Sequence, residues 1–286
     1  MRDIFTSPRI LSMRRKRRKY LWRLSILISI LFIAIVSACA YFSFDERIAI
    51  NKISVNGNKI INTSDIEEII NNKISGKYLY LFNRANIFIY PKRGIYRELI
   101  SKYPRIESLS IYKTGLDTLS LDIKERNGAY LYCGDKISEV KSEIGENCYF
   151  VNNDGYVFDK APYFSGNVYL KFYVSISDTD PLKKQILPVD RFRDLLGFID
   201  GVTSLGFRPA YLSIDQDGMH SLYLEHGEGK SNPKIIFREE NDLGVILENL
   251  SSSMKKKEFA NEINSKYDTL LYIDLRFKNK VLYKFL

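Results

Sequence analysis

The sequence predicts an α+β protein with a single N-terminal transmembrane helix, a compact β-α-α-β-β unit, and then a mostly antiparallel β domain with flanking helices. Three observations carry this reading. An uncharged apolar run fills 24–44, directly after a basic block. Up to about residue 126, helical apolar stripes lie between short alternating segments. Beyond that point period-two alternation and Asx-Gly turns dominate.

The 21 residues of 24–44 form a helix about 30 Å long, the hydrocarbon thickness of a bilayer. Tyr20 and Trp22 flank one end and Tyr41 the other, where amphipathic rings favour headgroups. Arg14-Arg15-Lys16-Arg17-Arg18-Lys19 precede the run, so residues 1–23 read as a basic cytoplasmic tail and 45–286 as extracytoplasmic, a single-pass type II layout. Nine of the 43 basic residues but only one of the 34 acidic ones precede residue 45. The net charge of +9 therefore falls to +1 over 45–286, which argues against a nucleic-acid surface. A cleaved signal usually has a shorter apolar stretch. Val36-Ser37-Ala38-Cys39 also reads as a lipoprotein processing site with Cys39 lipidated. The span continues through Ala40-Tyr41-Phe42, which favours Cys39 as a small apolar residue within the helix.

The unit at 45–126 begins with a strand in 48–58, where Ile53 and Val55 alternate with polar residues before the Asn56-Gly57-Asn58 turn. Ser64 and Glu67 have capping-box spacing, and Ile66, Ile69, Ile70 and Ile74 make an apolar stripe ended by Gly76. A linker carrying Tyr78, Tyr80, Phe82, Phe88 and Tyr90 follows. Pro91 leads into a helix at about 94–103, with Ile95, Leu99 and Ile100 on one side and Pro104 closing it. Strands at 106–113 and 116–125 turn about Gly115.

The unit at 127–286 opens with strands at 129–133 and 148–152 around a polar insert, 134–147. Asn153-Asp154-Gly155 turns into 156–158, and 168–176 reads as another strand. Pro188 opens a helix to about Leu205, with Phe192, Leu195, Leu196, Ile199 and Val202 inward and Gly206 stopping it. A hairpin pairs 211–215 with 221–225. Lys234 starts a strand to Phe237, a helix covers 243–254, and strands at 269–277 and 280–285 join through Lys278-Asn279.

Chemistry is sparse. His220 and His226 share a face only if both lie on one strand, and no ligand-spaced partner accompanies them, so they read as surface residues. No Ser/His/Asp or Cys/His spacing and no phosphate loop is legible, so neither an enzyme nor a cofactor is expected. Cys133 and Cys148 bracket the polar insert in a compartment where disulfides persist. A bridge closing that loop stabilises the fold by roughly 3 kcal/mol in the chain-entropy model.

The first unit resembles an FtsQ-type POTRA domain in Ile53-Ser54-Val55-Asn56-Gly57-Asn58, Ser64-Asp65-Ile66, Tyr103-Pro104-Arg105-Ile106 and Leu121-Asp122-Ile123-Lys124-Glu125-Arg126. Asn127-Gly128-Ala129 departs from the proline and apolar residue that usually follow. Residues 149–158 and the closing pair Ile273-Asp274-Leu275-Arg276-Phe277 and Lys280-Val281-Leu282-Tyr283-Lys284-Phe285 resemble the β domain of the FtsQ/DivIB family. The resemblance implies a non-catalytic divisome scaffold of the cell membrane, enriched at the septum. It links early and late cell-division proteins during septal peptidoglycan synthesis. Its expected partners are FtsB/FtsL (DivIC)-like bitopic coiled-coil proteins, other membrane division proteins and membrane lipid. Strand addition on the closing hairpin is the expected mechanism, with Tyr272, Asp274, Arg276, Phe277, Tyr283 and Phe285 as contacts. For any one of these aromatics, packing into the domain's own core is the alternative. The POTRA contact is expected at Tyr103, Pro104, Arg105 and Ile106. The rival readings are a membrane-tethered extracytoplasmic cell-envelope enzyme, a lipoprotein scaffold, and a POTRA protein of an outer-membrane system, which calls for tandem units and barrel strands.

Overall fold

The computed structural model describes residues 8–137, 147–164, 167–176, 180–227 and 232–286. Most of the polar insert, 138–146, lies outside the described residues. The chain divides into two compact units, Met1–Glu125 and Arg126–Leu286.

In the first unit, helix α1 (Pro8–Ser43) runs unbroken through the basic block. The expected tail is thus helical from residue 8, because arginine and lysine are good helix formers and no glycine or proline separates them from the apolar run. The stretch Arg17–Ser43 is long and apolar enough to cross a membrane, and its most apolar window is not buried against the rest of the chain. Strand β1 (Lys52–Asn56), helix α2 (Thr63–Ile74), a hairpin of β2 (Lys77–Tyr78) and β3 (Phe82–Asn83), helix α3 (Lys92–Lys102), β4 (Ile106–Lys113) and β5 (Thr118–Glu125) follow. The main sheet is ordered β1-β5-β4, with β1 parallel to β5 and β4 antiparallel to it. Ile66, Ile70, Ile95 and Leu99 from the helices pack with Leu119, Leu121 and Ile123 of the central strand. A bulge between Ile106 and Ser108 lets both Ile106 and Leu109 turn inward, although three residues separate them.

The expected capping box is not made. Helix α2 starts at Thr63, with Asn62 at the N-cap and no side-chain cap. The turn before it is held from across the unit. The buried Glu125 carboxylate accepts the N–H groups of Lys59 at 2.7 Å, Ile60 at 3.0 Å and Ile61 at 3.1 Å. Gly57, at φ +80°, lies so close to β5 that a Cβ there would sit 2.2 Å from the Ile123 carbonyl oxygen. The Asn-Gly-Asn turn and the Glu-Arg strand end are thus two sides of one contact.

The second unit is one large, mostly antiparallel sheet. Its strands are β6 (Tyr130–Tyr132), β7 (Tyr149–Val151), β8 (Val157–Lys160), β9 (Lys171–Val174), β10 (Pro209–Ile214), β11 (Met219–Leu224), β12 (Lys234–Arg238), β13 (Leu270–Asp274) and β14 (Leu282–Phe285). They lie in the order β14-β13-β12-β11-β10-β9-β6-β7-β8. Only β6–β9, β9–β10 and β12–β13 are parallel. Helices α4 (Val189–Ser204), α5 (Leu243–Met254) and α6 (Lys257–Ser265) contribute Phe192, Phe198, Val202, Leu250 and Ile263 to the core with one sheet face. Phe198 is buried, whereas the expected Leu196 is only partly so. At Gly201 a Cβ would approach Leu247 to 2.3 Å, so α4 and α5 meet where α4 has no side chain. Helix α6 has no counterpart in the sequence reading.

The opposite sheet face differs along its width. Towards β6–β9 it is covered by a second cluster, Leu131, Cys133, Cys148, Ala161 and Tyr173, with Phe150, Phe164 and Tyr169 against it. Cys133 and Cys148 are joined in a disulfide there. Towards β14 the same face carries a cross-strand row in register: Tyr211, Tyr223, Lys234, Tyr272 and Lys284. The Tyr211 and Tyr223 rings stack at 4.5 Å, and Lys234 Nζ sits 5.6 Å from the Tyr223 ring centre.

Candidate interaction edge

A sheet has two edges, each with a row of backbone donors and acceptors that must be met by something. The β8 edge is met by the chain itself at its start, over Gly155–Val157. Val157 N–H donates to the Lys184 carbonyl at 2.9 Å, and Lys183 N–H donates back to the Val157 carbonyl at 2.8 Å. Ile186 N–H reaches the Gly155 carbonyl at 3.0 Å, and Tyr156 bridges Gln185. At the other side, β14 pairs with β13 alone among the described residues. Leu286 N–H donates inward to the Thr269 carbonyl at 2.8 Å. By the alternation of an antiparallel ladder, the backbone N–H and C=O of Tyr283 and Phe285 then point outward.

Helix α6 fixes this edge. The Tyr283 hydroxyl donates to Glu262 Oε2 at 2.7 Å, and the ring lies edge-on to Phe259 at 5.2 Å and to Phe285 at 5.5 Å. Lys266 Nζ donates to Glu262 Oε1 at 3.1 Å and sits 5.4 Å from the Phe285 ring centre. The Tyr283 hydrogen bond, helped by Lys266, holds the Glu262 carboxyl below its usual range, and the same bond raises the Tyr283 hydroxyl. Phe285 packs partly into the main core. Leu282 and Tyr283 remain exposed, and Leu282 projects on the face without helices, opposite Asp274 in register.

The expected contacts separate into distinct roles. Asp274 is only 4% exposed and is not presented to a partner. Its carboxylate binds Arg276 through Nη2 at 2.6 Å and Nε at 2.9 Å, and accepts the Arg276 N–H at 3.0 Å. Burial pushes the Asp274 pKa up, but the Arg276 hydrogen bonds and charge outweigh it and hold the group below its ordinary value. Arg276, locked in that pair, stays partly exposed, and Phe277 is exposed at the following turn. Tyr272 is half-buried between Lys234 and Lys284. Not among the contacts expected from the sequence are Glu262 and Phe259, which secure β14, and Lys284 with Leu282, which the register puts beside Tyr272 and Asp274.

The expected contact residues of the first unit differ in exposure. Ile106 is 2% exposed and belongs to the core of the first unit, so it offers no contact surface. Tyr103 packs partly against that core, its carbonyl accepts the Ile106 N–H at 3.0 Å, and Pro104 and Arg105 are half-buried. Of the two histidines only His220 lies on β11. Its ring stacks on Phe237 at 4.9 Å, and burial lowers its pKa. His226 falls beyond the strand and faces Asp268 at 3.3 Å. They therefore do not share a strand face. Cys39 is a free, exposed thiol on α1.

No protein-family model and no curated protein matches the chain.

Proposed function

We propose that this protein is a non-catalytic, membrane-anchored scaffold of the FtsQ/DivIB kind. On this reading α1 anchors it in the cell membrane with the basic end in the cytoplasm. The first unit is a POTRA domain, in keeping with its β-α-α-β-β order and β1-β5-β4 sheet. The second unit binds a small bitopic coiled-coil division protein by accepting a strand on β14. The observation that carries this is the contrast between a β8 edge closed at Gly155–Val157 by residues 183–186 and a β14 edge without a neighbour among the described residues. Strand addition needs outward backbone groups and flanking side chains for specificity. Tyr283 and Phe285 supply the first, and Leu282, Lys284 and Tyr272 the second.

The test is recovery of partners from crosslinked membranes with three full-length proteins: wild type, Tyr283→Ala and Tyr283→Pro. Both variants lose the ring, but only proline removes the outward N–H, and edge strands tolerate proline. Small single-span coiled-coil proteins are expected with wild type, less with alanine, and not with proline. Equal recovery by alanine and proline rules out strand addition at β14. Recovery of no division protein by wild type rules out the scaffold reading.

A further inference from the structure

The β2–β3 hairpin has a composition that the divisome reading does not use. Its tip is Leu79-Tyr80-Leu81, where a water-facing hairpin normally carries Asn, Asp or Gly. Tyr80 is 93% exposed and Leu79 82%. Both have positive φ, +49° at Leu79 and +62° at Tyr80, in a region that non-glycine residues seldom enter. Exposed apolar rings and chains are thus retained in a conformation that favours glycine. The turn is closed by Leu81 N–H donating to the Tyr78 carbonyl at 2.9 Å. Cations stand at its base: Arg84 lies 5.0 Å from the Tyr78 ring centre and Lys77 Nζ 5.0 Å from that of Phe44.

Its location decides what covers it. Asn83 N–H donates to Ser43 Oγ at 2.7 Å, and Asn86 Nδ2 donates to the Ser43 carbonyl at 3.3 Å. Ser43 is the last residue of α1 and is 5% exposed, although the helix around it is bare. The first charges after the apolar run are Asp45 and Glu46. The hairpin is therefore fastened where α1 passes from hydrocarbon to headgroups. Tyr80 is three positions from Asn83, so the tip lies within about 10 Å of that level. The headgroup layer on each side of a bilayer is about 5–7 Å thick. Phe88 and Ile89, also exposed, sit on the next turn, whose Ile87 N–H donates to the Ile48 carbonyl at 2.9 Å.

The geometry points to a second membrane contact: the Leu79-Tyr80-Leu81 tip enters the headgroup layer beside the exit of α1, with Lys77 and Arg84 facing lipid phosphates. A single helix leaves a domain free to swivel, and a tyrosine-bearing apolar tip at headgroup depth, where such rings are favoured, fixes its orientation. This inference rests on α1 spanning the bilayer.

The test uses the full chain with Cys39→Ser, reconstituted in vesicles of phosphatidylethanolamine and phosphatidylglycerol. Nitroxide labels are placed one at a time through Phe42→Cys, Leu79→Cys, Tyr80→Cys and Leu116→Cys, each an exposed position. Collision with oxygen is compared with collision with a water-soluble nickel reagent. The label at 42 is expected to read as lipid and that at 116 as water. Labels at 79 and 80 are expected to show an oxygen preference several-fold above that at 116. Water-like readings at both 79 and 80 with a lipid reading at 42 overturn the hairpin contact and leave the span standing. A water-like reading at 42 overturns the span, and the hairpin contact with it.

Discussion

The two edges of the large sheet solve the same physical problem differently. At β8 the chain folds back and hydrogen-bonds its own edge through Lys183, Lys184 and Ile186. At β14 the chain uses side chains instead: Tyr283, Phe285, Glu262 and Lys266 hold the strand in place, while its outer backbone has no neighbour among the described residues. An exposed edge is an aggregation hazard, and proteins usually blunt one that has no use. The lesson is that rigidity and openness are separable. A strand fastened by its side chains to α6 offers a preorganised backbone to a partner, which lowers the ordering cost of binding.

The largest effect that tests this contrast comes from comparing β13 with β14. Ile273→Ala removes a fully buried side chain and is expected to cost about 2–5 kcal/mol in chemical denaturation. Leu282→Ala, on the open strand, is expected to stay within about 0.5 kcal/mol. A comparable cost at Leu282 would mean that β14 is covered. Next in size is Arg276→Leu, which strands the buried Asp274 carboxylate and is expected to cost about 1–3 kcal/mol at neutral pH. Because the folded pKa of Asp274 is depressed, its contribution is fully present above the ordinary value of 3.8 and lost as pH falls through the lower folded value. The wild-type stability advantage over Arg276→Leu should therefore shrink in that acid window, as read from pH-dependent unfolding. The smallest effect is local. In Tyr283→Phe, the Glu262 carboxyl should titrate closer to its ordinary 4.5 by NMR, with the fold intact. No upward movement would mean that Tyr283 is not held against α6.

Much of this architecture is legible in the sequence where burial is periodic. The Ile66, Ile69, Ile70, Ile74 stripe and the Asn153-Asp154-Gly155 turn coincide with α2 and the β7–β8 connection. What escapes has physical causes. Helix α6 is only nine residues long, so its apolar spacing, Phe259 and Ile263, spans a single turn and is easily passed over. The β2–β3 hairpin exposes its apolar residues, so it reads as a linker. Asp274 occupies an alternating strand where a carboxylate looks solvent-facing, yet its neutralising partner is two residues along on the same face. Strand partners are the least legible of all. Alternation tells which face a residue takes but not that β12 runs parallel to β13 across the intervening 239–269, which carry α5 and α6, nor that residues 183–186 reach the start of β8. The family resemblance already points to the closing hairpin as the proposed edge, and what only the fold adds is the contrast with β8, closed at Gly155–Val157.

The most direct test places a photo-crosslinking amino acid in the full chain at Lys284 on β14 and, separately, at Lys160 on β8, followed by irradiation of native membranes. The account predicts an adduct with a small single-span coiled-coil protein from position 284 and none from position 160. Adducts of equal strength from both positions, or from 160 alone, would contradict it.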